Sequence, residues 1–187
     1  LRQGADGTQG DDTLKLKTLV SDWVNLAFKP TPPVNPDDKH CHGFINDACG
    51  RLLCPTELDW NNPVYVADLH LSQLLLFTNL SFPVFLYEKY TAKPDDLEEG
   101  IFKGKILLQA YKAVFTSPSS AKDIECDGND TDTAFLTIKV KKHVAQIIKM
   151  DKVTACSIAY IACQVQFALS SVTSWHSING DFDYTQF

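Results

Sequence analysis

Residues 40–54 carry two imidazoles and three thiols, His40, Cys41, His42, Cys49 and Cys54, within one segment. Zinc takes such side chains four at a time, in a tetrahedron. The thiols, however, follow a C-x7-C-x4-C spacing and lack the close cysteine pair with which a zinc module ordinarily starts. On an extended segment His40 and His42 would also point to opposite sides. The expectation is reduced thiols with no bound metal or cofactor. Were a metal held, these five residues would be its ligands, and chelation would lower the stability of the fold.

The other polar groupings lead less far. Asp123, Glu125, Asp127 and Gly128 copy the first half of a calcium loop, but Ala134 stands where the last position needs a bidentate carboxylate. That stretch reads as a solvated, mobile acidic loop over residues 121–133. Lys139, Lys141, Lys142, Lys149 and Lys152 are the one basic concentration. No aromatic side chain is interleaved to stack on bases, so a solvated face is the reading, with nucleic acid disfavoured. His176 with Asp181 and Asp183 reads as exposed capping. The chain has no G-x-S-x-G elbow and no glycine-rich phosphate loop, so no local motif points to an enzyme.

These groups need elements to position them. Asp11, Asp12 and Thr13 offer N-cap chemistry ahead of Leu16, Leu19, Val20, Trp23 and Val24, which share one helical face. Pro30, Pro32, Pro33 and Pro36 stop that helix near Phe28. Gly43, Gly50 and the run Arg51 to Pro55 suggest a hairpin or tightly packed loop. Asn62-Pro63 is a helix start that Val64, Val66 and Leu69 would help to bury, and Phe82 to Tyr87 reads as an irregular segment through the core. Pro94-Asp95-Asp96 opens a helix, and Lys105 to Phe115 forms another with Ile106, Leu107, Ala110, Val114 and Phe115 as its buried stripe.

The strongest pattern runs from Ala155 to Val172, apolar nearly all round behind a Thr154 cap, which predicts a central helix packed by neighbours on several sides. Cys156 and Cys163 fall within it as small hydrophobes. Residues 181–187 resemble the opening of a further helix. The fold class expected is mainly α: an irregular multi-helix domain with long loops and at most a small β hairpin.

The expectation is one domain over residues 1–187, cut at both ends. At 44% apolar and 21% charged the chain is ordinary for a globular protein, and no run reaches the length of a membrane-spanning helix, so no membrane partner is expected. A net charge of −6 with only two arginines, Arg2 and Arg51, opposes attraction to phosphate backbones. Six cysteines are too sparse for a disulfide scaffold, and they point to a reducing, intracellular setting, nuclear or cytoplasmic.

Taken in order, several segments resemble a family of uncharacterised proteins, a domain of unknown function associated with mushroom-forming fungi. They are Gly4 to Trp23, Gly50 to Pro55 with Asp59-Trp60, Phe85-Leu86-Tyr87, Phe115 to Ser120, and Ser157 to Ala162 through Phe167 to Ser171. The resemblance implies an intracellular fungal protein and transfers no activity to any residue. Members tend to carry a histidine two residues after a Gly-Phe pair, where this chain has Gly43-Phe44-Ile45-Asn46. The functional expectation is a helical interaction module that binds a protein partner or joins a nuclear or mobile-element-associated assembly. The alternative is a metal-assisted hydrolase or nuclease.

Overall fold

A computed structural model describes residues 2–64, 66–67, 82–116, 121, 152–174, 178–179 and 182–183, and the fold is mainly helical. Helix α1 spans Arg2–Phe28. Its inner face is the predicted stripe, with Leu16, Val20 and Val24 fully buried. The helix begins well before Asp11, the predicted start. Glycine costs about 1 kcal/mol in a helix interior but does not forbid it, and a helix anchored on a buried stripe extends upstream at one hydrogen bond per residue. It ends as expected, where Lys29 turns to a φ of 49°. Asn25 then fastens the proline segment back along the helix, donating to the Val34 carbonyl at 2.9 Å and accepting from the Val34 N–H at 2.7 Å.

Residues Asp47–Leu53 form helix α2 rather than a hairpin. The overlooked signal is Asn46, whose side chain accepts from the N–H groups of Ala48 and Cys49 and so caps the first turn. Gly50 is needed inside this helix for close approach, because a Cβ there would meet the Trp60 indole, with Cζ2 at 2.7 Å. Pro63 opens a helical turn as predicted, capped by Asn62 onto the Val64 N–H at 3.0 Å. Val64 is nonetheless 64% exposed, while Val66 packs on Cys54 and Trp60. Leu69 lies outside the described residues.

The core is crossed by a 3-10 turn, Val84–Leu86, followed by Tyr87, with Phe85, Leu86 and Tyr87 fully buried and isolated bridges on either side, Pro55 to Pro83 and Tyr87 to Ile101. No helix opens at Pro94. Asp96 instead bonds the N–H groups of Glu98 and Glu99 with its own side chain, a local turn that competes with helix formation. Helix α3 (Lys105–Phe115) buries Ile106, Leu107, Ala110 and Phe115 as expected, and adds Tyr111 and Ala113.

Helix α4 (Ala155–Leu169) starts with a reciprocal Thr154–Ser157 capping box and ends at Leu169, three residues before the predicted Val172. Residues 161–169 are buried without interruption, and α1, α2 and α3 all pack against α4. Gln164 and Gln166 are among those buried, and Thr13 of α1 donates to Gln164 Oε1 at 2.8 Å. Cys163 is buried as read, but Cys156, in the first turn, is exposed. Within the expected C-terminal helix, Phe182–Asp183 instead forms strand β2, antiparallel to β1 (Ile178–Asn179), while residues 181 and 184–187 lie outside the described residues. No described helix is long and apolar enough to cross a membrane.

Candidate functional site

The His40–Cys54 segment is divided among three structural tasks. Lys39 and His42 serve the end of α4, whose last carbonyls have no partner within the helix and form the negative pole of its dipole. Lys39 Nζ donates to the Phe167 carbonyl at 2.6 Å and the Ala168 carbonyl at 3.0 Å, and lies 4.9 Å from the centre of the Phe167 ring. His42 is fully buried, with Nδ1 3.0 Å from the same Ala168 oxygen and Nε2 2.7 Å from the Asn35 oxygen. A neutral imidazole can donate to one of these carbonyls, and the imidazolium to both. Burial draws the His42 pKa down, against the two carbonyls and with help from Lys39 and Lys17.

The thiols are dispersed. Cys49 is buried in the main core and Cys54 beside Trp60, while Cys41 is half-exposed and His40 exposed. Burial pushes Cys49 up to about 12, with Lys39 opposing, and Cys54 up to about 11, with Asp59 and Glu57 adding to the rise. Both remain thiols near neutral pH, which suits packing rather than nucleophilic chemistry. Cys41, Cys49, Cys54 and Cys156 are free thiols. Among the described residues no three or more His, Cys, Asp or Glu side chains converge to hold a metal ion.

Burial also lowers the Lys39 pKa from 10.5 to about 7, with Cys49 opposing and Lys17 adding. The unfolded chain therefore holds this proton more tightly than the folded one, and stability should rise with pH from about 7 towards 10.5. Above the ordinary thiol pKa of 9 the buried cysteines oppose this, because their folded pKa values are raised. The usable window is about pH 7 to 8.5, with a slope of at most ~1.4 kcal/mol per pH unit. Urea unfolding across that window should show the rise in the wild type and a flatter profile in Lys39→Met. Equal slopes in the two proteins would exclude Lys39 as its source.

The concave surface lies elsewhere, at a place the local sequence pattern did not mark. Two clefts share Phe28 and Tyr90 as a common wall, their rings 5.8 Å apart and tilted by 42°. The smaller, about 270 Å³, lies between Trp23, Leu26 and Ala27 of α1 and Lys105, Ile106 and Gln109 of α3. Leu26 stands at its rim, 78% exposed. The larger, about 450 Å³, is lined by Arg51, Thr56, Asp59, Trp60 and Lys89 among others. Trp60 is held by a 2.8 Å bond from its indole N–H to Asp47 Oδ1. Asp59 Oδ1 is occupied by Asn61, through its backbone N–H at 2.9 Å and its amide at 3.0 Å.

Two features of this surface are costly to the fold alone. Lys89 and Tyr90 are consecutive non-glycine residues at φ 55° and 57°, left-handed angles that cost about 1–3 kcal/mol each and gather at functional sites. The Thr56 hydroxyl is buried with no hydrogen-bond partner among the described residues, an omission native folds rarely leave without a reason. The basic cluster Lys139, Lys141, Lys142 and Lys149 lies outside the described residues, as do Asp123, Glu125, Asp127, Gly128, His176 and Asp181. Lys152 is exposed.

A model described as a family of unknown function (DUF6698) matches residues 3–187. No curated protein and no solved structure matches.

Proposed function

We propose, for a chain that belongs to the family of unknown function DUF6698 and inherits no activity from it, that the domain is an interaction module. It binds a protein partner across the paired clefts. The observation that carries this reading is Leu26, 78% exposed at the rim of an aromatic cleft, where an apolar side chain gains by being covered. Phe28 and Tyr90, half-buried on the wall between the clefts, extend the same apolar surface. An intracellular setting, nuclear or cytoplasmic, agrees with the free thiols of Cys41, Cys49, Cys54 and Cys156. The competing reading, a metal-assisted hydrolase or nuclease, needs several converging acidic or imidazole groups, whereas the larger cleft is lined by one carboxylate, Asp59, already engaged by Asn61.

Leu26→Asp tests the reading. The side chain is on the surface, so the cost to stability is confined to helix propensity and the dipole at the end of α1, about 1 kcal/mol. Affinity purification with quantitative mass spectrometry should recover a protein with the wild type and lose it with the variant. Equal recovery by both would place the interaction elsewhere and overturn the proposal.

A further inference from the structure

We infer that the partner is recognised through an extended acidic segment, whose apolar anchor covers Leu26, Phe28 and Tyr90 and whose carboxylate meets Arg51. This rests on the interaction-module reading and names the chemistry of the partner.

The charge distribution is the first support. The chain carries a net charge of −6, yet the clefts gather Lys105, Arg51 and Lys89 against the single carboxylate of Asp59. Neither ion pair of the described residues uses any of these three cations: one joins Lys17 to Asp37 and the other Lys93 to Glu99. Arg51 is one of only two arginines in the chain, and its guanidinium offers the planar fork that matches a carboxylate in bidentate fashion. A positive concavity on an acidic molecule steers a negative ligand towards it and turns away basic ones.

A further support is shape. Phe28, Tyr90 and Trp60 form the apolar walls along which an anchoring side chain can be buried. The two clefts adjoin across the Phe28–Tyr90 wall, so one segment can reach both. A polyanion such as single-stranded nucleic acid shares the sign and the stacking, but the overall negative charge of this chain repels its remaining phosphates.

The test is selection from a random-peptide phage library, followed by fluorescence anisotropy of the selected peptides against wild type, Arg51→Glu and Leu26→Asp. Peptides combining an aliphatic or aromatic residue with Asp or Glu are expected. Their affinity should fall about 10-fold or more with Arg51→Glu and weaken with added salt. Selected peptides without acidic residues, or unaffected by Arg51→Glu while lost with Leu26→Asp, would overturn the acidic-segment inference and leave the interaction module standing. Failure to select any peptide would overturn both. A labelled single-stranded oligothymidylate that binds the wild type and is weakened by Arg51→Glu would overturn the inference in favour of nucleic acid.

Discussion

Ala162→Asp should unfold the domain or leave it barely stable. Ala162 is fully inaccessible, within the uninterrupted buried run of α4 that α1, α2 and α3 pack around. A carboxylate there would lose its hydration. It would remain charged at a cost of several kcal/mol or take up a proton and still overfill the contact. An ordinary domain is stable by only about 5–15 kcal/mol, so a loss of about 4 kcal/mol or more removes much of the total. Far-UV circular dichroism of the purified variant should show reduced helicity or a melting transition far below the wild type. A variant within about 1 kcal/mol of wild type by urea unfolding would mean that this face of α4 tolerates a polar group, against the packing described.

The next largest effect is expected at Gly104, from a single added methyl group. Its φ of −58° suits any residue, so the glycine is not there for backbone freedom. It is there for approach: a Cβ would lie 2.9 Å from the Phe85 carbonyl carbon and 3.1 Å from that of Leu86, and would collide with the Phe85 oxygen itself. The Gly104 N–H donates to the Leu86 carbonyl at 3.1 Å, and the Gly104 carbonyl accepts the first bond of α3 from Leu108 at 3.0 Å. Separating these backbones would break that junction, and Gly104→Ala should cost about 3 kcal/mol. Gly10→Ala is the internal contrast, since nothing lies within 4 Å of a Cβ there. In the middle of α1 it should stabilise by up to about 1 kcal/mol. The two melting temperatures should move in opposite directions, and a Gly104→Ala protein as stable as wild type would refute the close-approach argument.

What the sequence disclosed was set by how local the physics is. The stripes of α1, α3 and α4 are periodic in the chain itself, and Leu16, Val20, Val24, Ile106, Leu107 and Ala110 are buried as their spacing required. Helix α2 departs from the expected hairpin or packed loop because Gly43, Gly50 and a proline-bounded run obscure Asn46, although the cap that decides the outcome is one side chain bonding two backbone groups. Pro94-Asp95-Asp96 erred the other way, since the same acidic residues that suit a helix start can instead close a turn on themselves, as Asp96 does. Within 181–187, where a few aromatic and acidic side chains suggest a helix, the described residues Phe182–Asp183 instead pair as a strand with Ile178–Asn179.

The site was less legible, for a geometric reason. His40, Cys41, His42, Cys49 and Cys54 are close in sequence and separate in space, while Leu26, Arg51, Lys89 and Lys105 are distant in sequence and share adjoining clefts. A density of metal-loving side chains is visible in one dimension, and a concave surface is not. One signal could have directed attention to Arg51: it is an isolated guanidinium in a chain that otherwise relies on lysine for positive charge.

The clamp on the end of α4 bears on the order in which this protein can assemble. Lys39 and His42 reach carbonyls about 130 residues away, and Thr13 and Asp12 meet Gln164 and Tyr160 across about 150. Contacts of that separation require large loops to close before they return any stabilisation. A helical protein with mostly local contacts folds in microseconds to milliseconds, and this one should be slower, in the range of mixed or β-rich domains. During synthesis the same topology leaves the buried stripe of α1 without its main partner until α4 has left the ribosome. The nascent chain thus presents an open apolar surface while the residues between α1 and α4 are made, at about 5–20 residues per second, and in that interval chaperone binding, rather than native packing, would keep Leu16, Val20 and Val24 from water.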